Sequence, residues 1–345
     1  MNLAEAVLAG ERLALARLLT QVENDSPEGR AALDVLFAHT GRAHIVGITG
    51  ASGTGKSSLV NQLAKAYRHP NDGSASQRIA ILAVDPSSPF TGGALLGDRL
   101  RMRDLSGDPG VFIRSMASRG ALGGLARTTA AAAQVLDAAG FDVVLIETVG
   151  AGQSEVDIAR LAHTTVVVEA PGLGDDIQAN KAGILEIADI LVVNKADRPG
   201  VESTERALKS MLELGHPMRH MAVSRHHHSL NSSLDRPPNE AMSEDEGELW
   251  VPPVLKTNST LGTGVEEVRQ QILRHNEYLH RSGEWQNREQ ARLQNELELL
   301  LQAGLVTAWQ ARTPAAVLEQ VSSALYRREI SPAQAVERLI REKQQ

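Results

Sequence analysis

The chain has 345 residues, enough for one α/β domain with additions, and its formal net charge of −7 gives no general attraction to nucleic acid or membrane surfaces. It contains no cysteine, which excludes disulfides, thiolate metal sites and cysteine nucleophiles and fits a reducing cytoplasm. The sequence contains no signal-peptide pattern and no apolar run long enough to span a membrane, so we expect a cytoplasmic protein.

Residues 1–41 predict a helical N-terminal extension. Ser26-Pro27 is typical of a helix start, with an N-cap hydroxyl and a proline at the first helical position. Gly41 is expected to close the second helix. The apolar residues of the first helix recur on one face and predict packing against the rest of the chain: Leu15, Leu18, Leu19 and Val22.

The stretch Gly50-Ala51-Ser52-Gly53-Thr54-Gly55-Lys56-Ser57 fits the phosphate-binding pattern G-x-x-x-x-G-K-[ST], called the P-loop. An apolar run at 44–49 predicts a strand before it, and leucines at helical spacing predict a helix after it. Lys56 is expected to reach the β- and γ-phosphates, and Ser57 to ligate Mg²⁺. The predicted phosphate-binding residues are Gly50, Ser52, Gly53, Thr54, Gly55, Lys56, Ser57 and Ser58.

From residue 42 to 280, apolar runs alternate with helical patterns, which predicts a doubly wound, mostly parallel α/β sheet around this phosphate-binding loop. Ligands in such sheets bind beyond the carboxyl ends of the strands. The predicted strands are 44–49, 79–84, 111–114, 142–147, 164–169, 189–194, 218–223 and 251–256.

Acidic residues follow two of these strands. Asp85 ends one strand and Asp98 lies in the loop after it, where both can reach Mg²⁺, although Asp-Pro and Gly-Gly are also ordinary turn chemistry. Glu147 ends another strand and is expected to act on the metal, with the Gly150 N–H at the γ-phosphate. Gln153 invites comparison with the water-positioning glutamine of small GTPases, or is simply solvated.

Asn194-Lys195-Ala196-Asp197 follows the strand 189–194 and fits the pattern N-K-x-D. The Asp197 carboxylate can accept hydrogen bonds from guanine N1–H and the N2 amine, a donor pair that adenine lacks. The Lys195 stem would cover the base. After the strand at 251–256, a small-residue loop containing Asn258 and Ser259 would place backbone N–H groups near guanine O6. Together these patterns predict a guanine nucleotide, GTP or GDP.

Two further regions frame the predicted GTPase domain. Residues 224–248 lack apolar periodicity and predict a disordered insertion. It includes His226-His227-His228, which either form part of a surface loop or offer ligands to a transition metal. Residues 281–345 predict helices, and we expect this C-terminal arm to pack on the domain or to form a homodimer. The apolar stripe that suggests it consists of Leu293, Leu297, Leu300 and Leu301.

With these motifs in place, the chain resembles the MeaB/ArgK-type GTPases, chaperones of adenosylcobalamin-dependent acyl-CoA mutases. The stretches that carry the resemblance, which covers about residues 1 to 345, are Asp85–Arg103, 112–116, 119–125, Glu147–Glu155, Pro171–Lys181, Asn194–Asp197 and 250–255. It implies GTP hydrolysis, a magnesium and switch role for Asp85, Asp98 and Glu147, and a signal to the mutase through Pro171–Lys181, with Asp175, Asp176 and Lys181 offering charges to the partner.

The chain departs from its relatives at two points. They commonly have proline where Ser52 stands, a change we expect to be tolerated because the loop binds phosphate through its backbone. They often have Ser-Ala in place of Asn258-Ser259, so the residues expected near guanine O6 differ from theirs.

These observations predict a GTP-hydrolysing chaperone that gates cofactor loading, protection or repair of a methylmalonyl-CoA mutase-like enzyme, without a nucleic-acid or membrane partner. One alternative is a metal-delivery GTPase for a nickel enzyme, but the absence of cysteine counts against it. Another is an ATP-dependent kinase, which the N-K-x-D stretch disfavours through base choice. Metal binding and competition between GTP and ATP would separate the three.

Overall fold

The computed structural model describes residues 2–86, 102–105, 107–118, 124–148, 153–172, 186–226 and 249–341. Five residues of the predicted site lie outside them: Asp98, Gly150, Asp175, Asp176 and Lys181. For Asp85 and Gln153 only the backbone is described. The predicted insertion at 224–248 also lies outside the described residues, except for 224–226.

The described residues contain one seven-stranded sheet in which every neighbouring pair is parallel, in the order β3-β2-β4-β1-β5-β6-β7. The strands are β1 His44–Thr49, β2 Ile79–Pro86, β3 Val111–Ser118, β4 Val143–Thr148, β5 Thr164–Glu169, β6 Ile190–Val193 and β7 Val254–Lys256. The chain winds to one side of β1 and then to the other, which confirms the predicted doubly wound α/β fold.

Helices cover both faces of this sheet: the N-terminal helices and Gly124–Ala138 pack on one face, and Lys56–Arg68 and Val265–Ser282 pack on the other. The helices of the described residues are Leu3–Leu8, Arg12–Glu23, Pro27–Leu36, Lys56–Arg68, Gly124–Ala138, Gln153–Leu161, Val201–His226, Val265–Ser282, Glu284–Arg312, Ala315–Tyr326 and Pro332–Arg341, with short 3₁₀ turns at Phe37–His39 and Arg103–Leu105.

Alternating residues of the central strands fill two separate cores. Ile45 points into the core formed by the N-terminal helices and the helix Gly124–Ala138. Its neighbour Val46 points into the opposite core, against the helices Lys56–Arg68 and Val265–Ser282. Because every residue of β1 is buried, its inner stretch from Ile45 to Ile48 is continuously apolar rather than alternating. The N-terminal extension therefore has a packing role as a cover for one face.

The strand prediction at 218–223 is wrong, because the helix Val201–His226 runs through these residues. The segment is short, and Val223 is its one β-branched residue. Periodicity cannot separate a strand from a helix over so few residues. The other predicted strands coincide with strands of the sheet, although the last is shortened to Val254–Lys256.

The chain divides into two compact units, Met1–Asn295 and Glu296–Gln345. In the second unit, the helices Ala315–Tyr326 and Pro332–Arg341 share a small core of Val321, Ala324, Ile330 and Ala335. The indole nitrogen of Trp309 donates to the carbonyl of Leu339 at 3.2 Å within the same unit. Within the described ranges, every helix is too short or too polar to cross a membrane.

Candidate nucleotide-binding site

The P-loop lies between β1 and the helix Lys56–Arg68, at the carboxyl edge of the sheet. Two glycines make its path possible. Gly50 has a φ of 135°, and a Cβ there would lie 2.1 Å from the carbonyl oxygen of Val168. Gly55 has a φ of 96°, and a Cβ there would lie 2.4 Å from the side-chain nitrogen of Asn194. Any larger residue would push the loop off the neighbouring strands.

Lys56, the first residue of the helix, is buried and folds back over the loop. Its ammonium group donates to the carbonyl oxygens of Gly50 at 2.7 Å and Ala51 at 2.9 Å. Thr54 is also buried and donates to Ala51 O from its hydroxyl at 3.0 Å. These bonds hold a cation over the concave side of a glycine-rich loop at a helix N-terminus, an arrangement suited to phosphate. Ser52 and Gly53 are exposed at the loop tip, and Ser58 is exposed on the helix.

Ser57 meets the neighbouring strand β4. Its hydroxyl donates to the Glu147 carboxylate at 2.5 Å. The strands β1 and β4 are paired so that Glu147 lies opposite Ile48, close to the start of the P-loop. A hydroxyl and a buried carboxylate beside a phosphate-binding loop are hard oxygen ligands of the kind that Mg²⁺ prefers, so these residues fit a magnesium ion.

Asn194 joins three loops through one side chain. Its amide nitrogen donates to Thr54 O in the P-loop at 2.8 Å. Its amide oxygen accepts hydrogen bonds from the Thr257 hydroxyl at 3.0 Å, the Ser259 hydroxyl at 2.8 Å and the Ser259 backbone N–H at 3.1 Å. With only 2% of its surface exposed, Asn194 holds the phosphate loop and the loop after β7 at a fixed separation.

The remaining residues of the predicted base site lie beside this junction. Lys195, with a φ of 58°, reaches back to donate to Gly53 O at 2.6 Å. Asp197 is exposed, and its carboxylate accepts a hydrogen bond from the Asn258 side chain at 2.9 Å. Ser259 is buried under Asn194. The structure thus brings the P-loop, Glu147, the N-K-x-D stretch and Asn258-Ser259 together at one edge of the sheet.

Thr257 was not among the site residues predicted from the sequence. This residue is fully buried, and its backbone N–H donates to Val193 O while its carbonyl accepts from Ala196 N–H, both at 2.9 Å. Together with its hydroxyl bond to Asn194, these contacts tie the loop after β7 to the N-K-x-D stretch. Its position directly before Asn258 is the one signal in the sequence that points to it.

Comparisons with known proteins agree with this geometry. Residues 15–313 match the family model "Methylmalonyl Co-A mutase-associated GTPase MeaB". The chain is 42% identical to a putative GTPase of Pyrococcus abyssi over 99% of its own length and 96% of the relative's. It is 35% identical to the GTPase ArgK of Escherichia coli over 84% of its length and 79% of that protein.

Among solved structures, one described as the LAO/AO transport system kinase is similar with a TM-score of 0.64 and 25% identity, and the match covers 99% of this chain and 97% of that one. The family match, the relatives and this fold all agree. The chain belongs to the MeaB family of methylmalonyl-CoA mutase-associated GTPases.

Proposed function

We propose that the chain is a GTP-driven chaperone that gates cofactor loading, protection or repair of an adenosylcobalamin-dependent acyl-CoA mutase of the methylmalonyl-CoA mutase type. The family, named for its association with that mutase, supports the partner. The observation that supports nucleotide binding is the position of Asn194. Its side chain bonds to Thr54 in the P-loop and to Ser259 in the loop after β7, so one residue links the proposed phosphate and base sites.

We assign the phosphates to the P-loop and the base to the loops around Asn194. Lys56 would bind the β- and γ-phosphates through its ammonium group. Lys195 would cover guanine, and Asp197 would accept its N1–H and N2 donors. The helix start behind Lys56 adds its positive dipole end, which favours the phosphate charge. The full set comprises Gly50, Ser52, Gly53, Thr54, Gly55, Lys56, Ser57, Ser58, Gly150, Asn194, Lys195, Asp197, Asn258 and Ser259.

We assign a magnesium ion to Ser57 and Glu147, with Asp85 and Asp98 as further oxygen donors. The contact between Ser57 and Glu147 supports this assignment, because both are hard ligands beside the phosphate loop. When bound, Mg²⁺ would neutralise charge that develops on the phosphates. The Gly150 N–H would donate to the γ-phosphate, and Gln153 would orient the attacking water.

We assign communication with the mutase to Pro171–Lys181, with Asp175, Asp176 and Lys181 as the charged contacts. This stretch follows β5, whose carboxyl end is next to that of β1. A residue that couples two proteins must make a contact that differs between two states, whereas basal hydrolysis needs only the nucleotide site.

The test is the GTPase rate of the purified full chain at saturating GTP, with and without the mutase from the same genome. We expect the mutase to stimulate hydrolysis, and GTP to control how much adenosylcobalamin the mutase takes up. Lys181→Ala should keep the basal rate within about a few-fold and lose the stimulation, because it removes a coupling contact. A mutase that neither binds nor alters the rate would contradict the proposal, and a collapsed basal rate would place Lys181 in the catalytic site instead.

We also propose a homodimer formed through the helical arm predicted at 281–345. The second compact unit carries several exposed apolar side chains on the helix Glu284–Arg312: Leu297, Leu300, Leu301, Leu305 and Val306. Contiguous exposed apolar residues of this kind are typical of protein–protein interfaces. Leu301→Glu should halve the mass measured by light scattering, while the exposed neighbour changed in Gln302→Glu should leave it unaltered. An unchanged mass in both would contradict the dimer.

A further inference from the structure

The orientation of the Asp197 carboxylate is set by a second side chain. A carboxylate that reads two donors on a base must present both oxygens in one plane, and an exposed aspartate is free to rotate. Here the amide nitrogen of Asn258 donates to Asp197 Oδ1 at 2.9 Å. Because Asn258 lies 61 residues further along the chain, this contact is made only by the fold.

Hydrogen bonds fix the orientation of the side-chain amide of Asn258. Its oxygen accepts two backbone hydrogen bonds, from Thr260 N–H at 3.1 Å and from Leu261 N–H at 3.2 Å. An NH₂ group cannot accept either of them, so the network fixes which end of the amide faces Asp197. Asn258 is therefore an oriented donor rather than one of two equivalent rotamers.

The backbone beneath Asn258 is also held in place. Its own N–H donates to Thr263 O at 3.0 Å, which closes the loop between β7 and the next helix. Gly264 allows the tight return, because it has a φ of 75° and a Cβ there would lie 2.2 Å from Lys256 O. The amide that donates to Asp197 therefore belongs to a loop that a backbone hydrogen bond closes.

We propose that Asn258 is a positioning residue for guanine recognition, which holds the Asp197 carboxylate in the plane needed to accept the base's N1–H and N2 amine. The proposal rests on the function proposed above for Asp197, and it gives Asn258 a side-chain role in addition to the backbone contact predicted from the sequence. As a neutral donor, Asn258 fixes the carboxylate without cancelling the negative charge that attracts the guanine donors.

The experiment compares the affinities of GDP and IDP, since inosine lacks the 2-amino group. Calorimetry on the full-length protein with Mg²⁺ measures both ligands. The wild type should prefer GDP by about tenfold or more, the usual value of one hydrogen bond to a charged group. Asp197→Ala should remove the preference. Asn258→Ala should reduce it several-fold, and the double variant should match Asp197→Ala, because Asn258 acts through Asp197.

A second variant protects the test against misfolding. Asn258→Asp retains an oxygen for the N–H groups of Thr260 and Leu261, so the turn is preserved, but it replaces the donor with a second carboxylate. It should lower the GDP preference more than Asn258→Ala does. Asn287→Ala changes an exposed asparagine on the helix Glu284–Arg312 and is the matched control.

The outcomes distinguish a failure of the base assignment from a failure of the positioning role. An unchanged GDP preference in Asp197→Ala would refute the base assignment in the proposed function. If Asp197→Ala removes the preference but both Asn258 variants keep the wild-type ratio, the positioning role is overturned and the proposed function stands. Equal losses of GDP and IDP affinity in the Asn258 variants would mean that the residue only supports the loop, which also overturns the proposal.

Discussion

The side-chain nitrogen of Asn194 lies 2.8 Å from the carbonyl oxygen of Thr54, 140 residues earlier in the chain. The same side chain accepts three hydrogen bonds from Thr257 and Ser259 on its other end. One buried amide therefore spans the distance between the loop assigned to phosphate and the loops assigned to guanine. Any change that removes it should loosen both ends of the site together.

We predict that Asn194→Ala lowers the free energy of unfolding of the nucleotide-free protein by about 2–4 kcal/mol, because several buried polar groups lose their partner. Nucleotide affinity should fall as well, with GDP and IDP affected alike. Urea unfolding and calorimetry measure the two effects, and Asn71→Ala, at an exposed asparagine, is the control. A variant of unchanged stability would show that Thr54 and Ser259 find other partners.

We predict that Lys56→Ala nearly abolishes GTP hydrolysis and weakens nucleotide binding. The ammonium group is held over the loop by Gly50 O and Ala51 O, and without it no cation offsets the phosphate charge at that point. Single-turnover hydrolysis with a folded variant measures the effect. The exposed lysine changed in Lys209→Ala should keep the wild-type rate. Hydrolysis at the wild-type rate in Lys56→Ala would contradict the assignment of the P-loop.

We predict that Asp197→Asn relaxes the guanine preference in favour of xanthine. A carboxylate accepts from two donors, whereas an amide presents one oxygen and an NH₂ group that clashes with the second donor. A site built on hydrogen bonds rejects the wrong base strongly because its polar groups lose their partners. Competition between GTP and XTP is the measurement, and full retention of GTP preference would show that Asp197 does not read the base.

The parts of the site that lie next to each other in the sequence were predictable, and those made by distant contacts were not. Gly50–Ser57 carries its strand, loop and helix signals within a single window, and Asn194–Asp197 follows a strand directly. No local signal indicates that Asn194 bonds to Thr54, or that Asn258 turns its amide towards Asp197. Such contacts depend on strand order, which places β1, β5, β6 and β7 side by side.

The error at 218–223 has a different origin. A run of six residues that contains two methionines and one valine satisfies both a buried strand and a helix turn. Without the longer helical context of Val201–His226, the periodicity of such a short run carries little information. Thr257 was not predicted because a single threonine after a strand matches no known motif.

A polar cluster at the amino ends of β1 and β5 should make the stability of the protein depend on pH. His44 and His163 are buried at the starts of β1 and β5, where His44 Nε2 lies 2.7 Å from the Thr164 hydroxyl. Burial lowers the pKa of His44 well below its usual value, and three neighbouring imidazoles and Arg288 lower it further. Burial also lowers the pKa of His163, although Glu289 opposes this shift.

The lowered pKa values of the two histidines determine how the free energy of unfolding changes with pH. Below about pH 6.5 the unfolded chain binds protons that the folded histidines do not, so the free energy of unfolding falls as the pH falls towards the lowered pKa values. The carboxylate of Glu289 affects the free energy of unfolding in a lower pH range. Burial alone would raise the pKa of Glu289, but hydrogen bonds from Arg292 and His163 bring it to about 2, so its contribution is lost only below about pH 4.5.

We therefore predict that the free energy of unfolding decreases from pH 7.5 to pH 5.5, with a slope of up to about 1.4 kcal/mol per pH unit for each of the two histidines. His44→Gln keeps a neutral polar group near the Thr164 hydroxyl and should flatten the slope, while His69→Gln, at a ring exposed to water, should retain it. Urea unfolding of the nucleotide-free protein at pH 7.5, 6.5 and 5.5 supplies the slopes. Equal slopes in the wild type and in His44→Gln would mean that His44 takes up its proton over the same pH range in the folded and unfolded chain, contrary to the effect of its burial.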